Sequence, residues 1–478
     1  MKLIFEKGAE GRTGTKLPKL DVEEKQNLIP EKYLRKKLDL PELSEINVVR
    51  HFTELSTRNY GVDSGFYPLG SCTMKYNPKV NEETSKLPGF AFSHPLQGDE
   101  LSQGSLQLMY ELEKMLCEIT AFERFTLQPA AGAHGELTGV MIIKAYFKKK
   151  NENRTKILVA DSSHGTNPAS VVLCGFESIE VKSDENGNLD LNDLKEKMNA
   201  DVAGLMLTNP NTLGLFDNNI TELCKIVHDK GGLVYCDGAN MNAMIGISKP
   251  AQQGYDIMHI NLHKTFSTPH GCGGPGSGPV GVIKNLVPFL PKPLIEKKEN
   301  KYYLNYDSTN SIGKMRSFYG NFGILVRAYT YIKAIGSKGI KEVAENAVLN
   351  ANYMKAKLKD TYDLPYERTC MHEFVLSDKN LPNGVTTIDV SKRLLDYNIH
   401  APTIYFPLIV HGAIMIEPTE TEPKETMDEF IEIMKKIHKE AEETPELVKN
   451  APQNTPVRRL DGVKAAREPN LRWKKEGD

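Results

Sequence analysis

Between residues 156 and 262, short apolar runs alternate with helix-forming segments, and this alternation constrains the fold more than any other feature. Residues 156–160 (KILVA), 202–207, 233–236 and 257–262 are predicted strands. Helices are predicted between them at 189–198 and 220–229, the second stopped by Gly231 and Gly232. Near-continuous apolar strands separated by helices build a mostly parallel sheet with both faces covered, so the expected class is α/β. In such sheets ligands gather beyond the carboxyl ends of the strands. Here those ends carry Asp161, Asn209, Asp237 and Lys264.

Lys264 is the most pointed of these. It follows the last apolar run and sits among Thr265, Ser267 and Thr268, ahead of the glycine-rich stretch 271–281. Lysine packs poorly in a core, but its amine forms Schiff bases when its surroundings keep it partly unprotonated. If the partner is pyridoxal 5'-phosphate, the site also needs an acid at the pyridine nitrogen, a phosphate cradle and something flat against the ring. Asp237 is the candidate acid, Ala239 is small enough to lie beneath the ring, and His164 in DSSHGTN could stack on the other face. The small-residue turn 128–136 (QPAAGAHGE) opens a helix predicted over 137–147, where free N–H groups and the positive end of the helix dipole suit a phosphate. Gly132, Ala133 and His134 are its candidate contacts, and His263 and Thr265, on either side of Lys264, complete the expected cofactor set. Alone, the aspartate reads as a helix cap and each histidine as a surface or packed residue. Together, in this order at strand ends, they read as a cofactor site with Lys264, Asp237 and His164 as its catalytic members.

Other chemistries fit less well. Lys and Arg number 60 against 62 Asp and Glu, a net charge of −2, whereas nucleic-acid binders carry a strong basic bias. His259 and His263 are four apart but fall on a predicted strand, and no H-E-x-x-H occurs, so no metal site is expected. The glycine run lacks G-K-[ST], which excludes a P-loop. Seven dispersed cysteines without C-x-x-C indicate reduced thiols. No secretory signal opens the chain, and no window approaches the ~20 apolar residues of a membrane span. The expected location is the cytoplasm.

Around the sheet we expect a charged N-terminal arm (1–50, amphipathic over 31–43) and a large cofactor domain (51–365). A smaller C-terminal α/β domain (366–445) and an extended tail (446–478) with the sole tryptophan, Trp473, should follow. Residues 51–81 lack periodicity but hold Tyr60, Phe66, Tyr67 and Tyr76, which predicts an ordered loop lining the site. Helices are predicted at 105–120, 323–335, 340–359 and 424–442.

Several long stretches also resemble a known family. GVDSGFYPLGSCTMK (61–75), QPAAGAHGE (128–136), DSSHGTNP (161–168), NLHKTFST (261–268), YFPL (405–408) and EPTETE (417–422) are similar to the P-protein of the glycine cleavage system in its two-subunit form. The resemblance implies a fold-type-I pyridoxal-phosphate enzyme with Lys264 as its Schiff-base residue. It also implies decarboxylation of glycine, with release of carbon dioxide and transfer of the aminomethyl group to the lipoyl arm of H-protein. A homologous first subunit would complete a heterotetramer. A fold-type-I aldolase or aminotransferase, or a non-catalytic scaffold subunit, are the rival readings.

Overall fold

The computed structural model describes every residue except 26, 27, 36, 37, 39, 272–275 and 475–478. Cys272, part of the glycine run and part of the amphipathic 31–43 segment therefore lie outside the described residues. The chain divides into two compact units, Met1–Gly65 with Arg459–Asp478, and Phe66–Arg458. In the first, helix α1 (Glu45–Ser56) supplies Glu54 to Lys7 at 3.2 Å. Trp473 stacks on Phe5 with centroids 4.9 Å apart, so the two chain ends meet.

The second unit opens with a loop over 66–78, then α2 (Lys79–Ser85), α3 (Pro88–Ala91) and α4 (Gln103–Thr120). Its main sheet has seven strands: β1 (Arg124–Thr126), β2 (Lys156–Ala160), β3 (Glu177–Val181), β4 (Val202–Thr208), β5 (Leu233–Gly238), β6 (Ile257–Ile260) and β7 (Val280–Val282). They lie in the order β1-β7-β6-β5-β4-β2-β3, and only β7 runs opposite to the other six. The helices between them are α5 (Gly132–Lys150), α6 (Thr166–Leu173), α7 (Leu191–Lys197), α8 (Ile220–Asp229) and the single turn α9 (Leu262–Thr265). The pleat sorts the core into two layers. On β5, Leu233 and Tyr235 join α5 residues Val140, Ile143 and Phe147, while Val234 and Cys236 join the opposite layer with Leu223 and Val227 of α8.

The predicted strands and helices appear within a few residues. The loop expected over 51–81 is shorter than predicted, because α1 takes in 51–56 and α2 begins at Lys79. Several further elements were not anticipated, some for identifiable reasons. β1 and β7 are only three residues long, β3 (ESIEV) is a polar edge strand, and α6 (TNPASVVL) hides behind a proline and small residues. After the hairpin β8 (Leu294–Lys298) and β9 (Lys301–Asn305), helix α10 spans Phe322–Leu358 with Gly336 non-helical at φ 63°, ψ −175°. That break divides it into the two predicted helices. A second sheet, β10 (Phe374–Leu376), β12 (Ile414–Ile416) and β11 (Thr403–Ile404), packs with α11 (Thr387–Asp396) and α12 (Lys424–Glu443) around its own core. The 66–78 loop joins it through a bridge between Leu69 and Ile416. A Cβ on Gly70 would fall 2.2 Å from Met415 Cγ, so this approach requires glycine.

Candidate active site

β6 ends at Ile260, and Asn261 turns the chain into α9 with φ −98° and ψ 109°. Leu262 and Thr265 are buried, the latter accepting a bond from the Met241 amide at 2.9 Å, so two anchors fix the turn that carries Lys264. The Lys264 amine makes no hydrogen bond or ion pair among the described residues, and it lines a cavity of about 260 Å³. Hollows of about 320, 570 and 630 Å³ occur elsewhere, but none lies at the carboxyl ends of the parallel strands. Position and chemistry, not size, single this one out.

Asp237, at the end of β5, faces the same cavity. Its Oδ2 accepts from Asn167 Nδ2 at 3.2 Å and Thr208 Oγ1 at 3.4 Å, and its Oδ1 from the Ala239 amide at 3.0 Å. Burial works against its charge, but His259, the Ala239 amide, Lys264 and Asn167 outweigh it and leave the pKa lowered. The second carboxyl behaves oppositely. Burial and the neighbouring Asp237 raise Glu136 to about 8, even though Thr166 and Ser170 hydroxyls donate to it. Two nearby acids are thus driven apart, one ionised and one protonated near neutrality.

Opposite Lys264, α5 begins at Gly132, and its first N–H groups have no partner within the helix. Gly132 and Ala133 line the cavity. A Cβ on Gly132 would lie 2.9 Å from Asn261 Nδ2, so the glycine makes room for that amide beside the helix end. Asn261 Oδ1 is buried and unpartnered. A wall from both earlier and later in the chain closes the cavity: Ser71, His372 and Glu373. Glu373 accepts from the Ser71 amide at 2.6 Å, and neighbouring Glu417 accepts from the Thr73 amide and hydroxyl at 2.9 and 2.8 Å. Burial raises both acids. His372 is buried with neither ring nitrogen hydrogen-bonded, its Nε2 lying 3.7 Å from Glu373 Oε1, and burial lowers it to about 3, so its imidazole is neutral.

Of the residues predicted from sequence, Lys264, Asp237, His164, Ala239, Gly132 and Ala133 line one cavity. His164 is exposed at its rim, with its ring 5.7 Å from Phe406. Three others are placed differently. His134 accepts from the Ala130 amide at 3.1 Å and fixes the turn, His263 accepts from the Ser277 amide at 3.2 Å, and Thr265 anchors Met241. Sequence reasoning did not single out Glu136, Asn261, Ser71, His372 or Glu373. Glu136 and Asn261 sat inside motifs already in view, one turn into the helix and three residues before the lysine. His372 and Glu373 carried no local signal.

The residues fit pyridoxal phosphate. An ionised buried carboxylate matches a pyridinium, the free helix end with the glycine-made cradle matches a phosphate, and Lys264 offers an unengaged amine. The Glu136–Asp237–His259 and His372–Glu373–Glu417 groups each bring three ligand-type atoms together. Their carboxylates are engaged by the hydroxyls, amides and side-chain donors named above.

The description "Glycine cleavage system P-protein" matches residues 15–302, and "Glycine dehydrogenase, C-terminal domain" matches 343–459. A probable glycine dehydrogenase (decarboxylating) subunit 2 of Caldanaerobacter subterraneus subsp. tengcongensis is 61% identical over 478 residues, covering 99% of each chain. One from Alkaliphilus oremlandii is 60% identical over 480 residues, again covering 99% of each. Among solved structures, an inhibitor-bound glycine decarboxylase (P-protein) of the glycine cleavage system is similar with TM-score 0.72 and 21% identity, over 86% of this chain and 93% of that one. A cysteine desulfurase from Thermococcus onnurineus NA1 is similar with TM-score 0.61 and 16% identity, over 79% and 97%. The structural likenesses establish the fold, the α/β fold-type-I architecture expected from sequence. The family matches span most of the chain and its relatives align end to end, so the chain belongs to the glycine cleavage system P-protein family.

Proposed function

We propose that this chain is the pyridoxal-phosphate-binding subunit of a glycine decarboxylase, transferring the aminomethyl group to the lipoyl arm of H-protein and releasing carbon dioxide. The relatives' names, glycine dehydrogenase (decarboxylating) subunit 2, support the activity and the existence of a first subunit. The observation that carries the reading is a single cavity holding an unengaged lysine amine, an ionised buried aspartate and a free helix end, with no arginine among its lining residues.

When bound, pyridoxal phosphate supplies the sink for the electron pair that a departing carboxylate leaves behind. Lys264 presents the amine that tethers it. Asp237 holds the proton at the pyridine nitrogen, where its lowered pKa keeps it a carboxylate. Gly132 and Ala133 direct their amides and the helix dipole at the phosphate, beside Asn261. With the group bound, Ala239 would leave space for its ring, and His164, at the cavity rim, would cover it from solvent. His372 is the residue we assign to the substrate carboxylate. A neutral imidazole orients that group without the bidentate clamp of an arginine, which would stabilise the carboxylate against leaving. Glu373 and Ser71 close the same wall, and a small cavity suits an amino acid without a side chain.

Leu17, Leu20, Val22 and Leu28 expose their side chains along the N-terminal segment, which supports an arm covered by the first subunit. We place the protein in the cytoplasm, in keeping with six free cysteines among the described residues. No helix of the structure is long and apolar enough to cross a membrane.

Purified protein should show an absorbance band near ~420 nm that Lys264→Ala abolishes. With its first subunit and lipoylated H-protein it should release carbon dioxide from glycine. A band without carbon dioxide release overturns the assignment of glycine, and no band overturns the cofactor site.

A further inference from the structure

β5 and β6 are parallel neighbours with Asp237 paired to His259. Tyr235 lies two residues before Asp237 on the same face of β5. Its hydroxyl is 2.6 Å from His259 Nδ1, and His259 Nε2 is 3.4 Å from Asp237 Oδ1. Tyr235 and His259 are fully buried. The helix above is cut to fit them. A Cβ on Gly135 of α5 would fall 2.9 Å from His259 Cβ, and one on Gly139 would fall 2.1 Å from Tyr235 Cε2. Two glycines one helical turn apart thus hold open the space these rings occupy.

We propose that Tyr235 and His259 form a positioning relay that fixes a protonated Nε2 against Asp237 and so sets the basicity of the acid facing the cofactor nitrogen. The polarity follows from counting donors. If His259 carried its proton on Nδ1, the Tyr235 hydroxyl would lack the acceptor at 2.6 Å and an Nε2 lone pair would face the Asp237 carboxylate. With Tyr235 donating to Nδ1, the proton sits on Nε2 and the hydroxyl is satisfied; Nε2 is buried and makes no hydrogen bond, and its N–H dipole faces the Asp237 carboxylate 3.4 Å away. Burial holds the Tyr235 pKa far above its ordinary value and lowers that of His259, so the relay is a neutral phenol and a neutral imidazole. The other titratable groups facing it are Glu136 and Lys264. Removing the relay leaves Asp237 more basic, so the shared proton moves from the ring nitrogen toward the carboxylate and the electron sink weakens.

This inference rests on the proposed placement of the pyridine nitrogen at Asp237, so the test has one arm without cofactor and one with it. In cofactor-free protein labelled with 15N-histidine, and with His259→Gln assigning the resonance, His259 should be the Nε2-protonated tautomer. Tyr235→Phe should convert it toward a mixture. An Nδ1-protonated His259, or a tautomer indifferent to Tyr235→Phe, overturns the relay. In the loaded enzyme, His259→Leu should shift the 15N signal of labelled pyridoxal phosphate toward the unprotonated ring and lower kcat about tenfold. His259→Gln, whose amide offers an N–H toward Asp237, should restore most of both. If the tautomer arm succeeds while the ring signal ignores His259→Leu, the relay does not act on the cofactor and the proposal fails. If Leu and Gln variants behave alike in the ring signal, His259 is packing only.

Discussion

Lys75 offers the sharpest test of how the cavity wall is held. It sits in the 66–78 loop, 2% exposed, with Nζ 2.6 Å from Glu420 Oε1, 3.1 Å from Asn242 Oδ1 and 3.4 Å from the Tyr331 hydroxyl. Asn242 Nδ2 in turn donates to Glu420 Oε2 at 2.9 Å. Burial alone would strip the proton from the amine, yet the attraction of Glu420 outweighs it and the pKa is raised. Lys75→Met keeps the stem and removes the charge, leaving Glu420 without its counter-ion and Asn242 Oδ1 without a donor. Breaking one side of a buried pair costs about 3–5 kcal/mol, against at most about 1 kcal/mol for an exposed pair. Adding Glu420→Gln removes the stranded charge, so the double variant should regain about 2–3 kcal/mol. The assay is the urea midpoint and slope of the four chains of the cycle, read by tyrosine fluorescence and circular dichroism. A Lys75→Met cost under about 1 kcal/mol, or a double variant no better than the single, would refute a desolvated pair.

Further outcomes follow from the cradle and the buried histidines. Gly132→Ala should weaken cofactor binding about tenfold at nearly unchanged Tm, because its Cβ meets only the movable Asn261 amide. Gly278→Ala should instead destabilise the fold by about 1–3 kcal/mol in urea titrations, since its Cβ would fall 2.2 Å from the Ala131 carbonyl oxygen, which is backbone. On the acid side, burial lowers His263 and His372 to about 3 and His270 to about 4. The unfolded chain therefore takes up protons below about pH 6.5 that the fold refuses, so stability is full above that pH and falls toward pH 4. His270 alone accounts for up to about 3 kcal/mol of the loss. His270→Gln should flatten the urea midpoint against pH between about 6.5 and 4; an unchanged profile would count against its burial as a neutral ring.

The legible part of the site was the part carried by contiguous strand-to-helix junctions. Lys264, Asp237, Ala239 and Gly132 each follow an apolar run or open a helix, so the parallel-sheet rule places them together. His372 and Glu373 come just before β10 of the second sheet, and nothing in the sequence near them says they reach a cavity built by residues 132–264. His259 was weighed only as a metal ligand and set aside, because its contact with Asp237 depends on cross-strand register that a sequence does not display. Tyr235 was not singled out, because its ring is core and only its hydroxyl is not. His134 and His263 stood in the right motifs, but their ring nitrogens serve the backbone at Ala130 and Ser277.

In the 66–78 loop, every second residue from 71 to 75 is fastened to a carboxylate: Ser71 to Glu373, Thr73 to Glu417, Lys75 to Glu420. Ser71 and Thr73 adopt left-handed backbone (φ 65° and 52°), a conformation that those bonds must hold. Each link joins residues more than 300 positions apart. The wall facing Lys264 is thus made from both an early and a very late portion of the polypeptide. A ribosome that stops before residue 373 releases a chain with the lysine, the aspartate and the helix end in hand but no latch for the loop. Such a fragment could capture cofactor without closing over substrate, so full-length synthesis is a condition for a finished pocket.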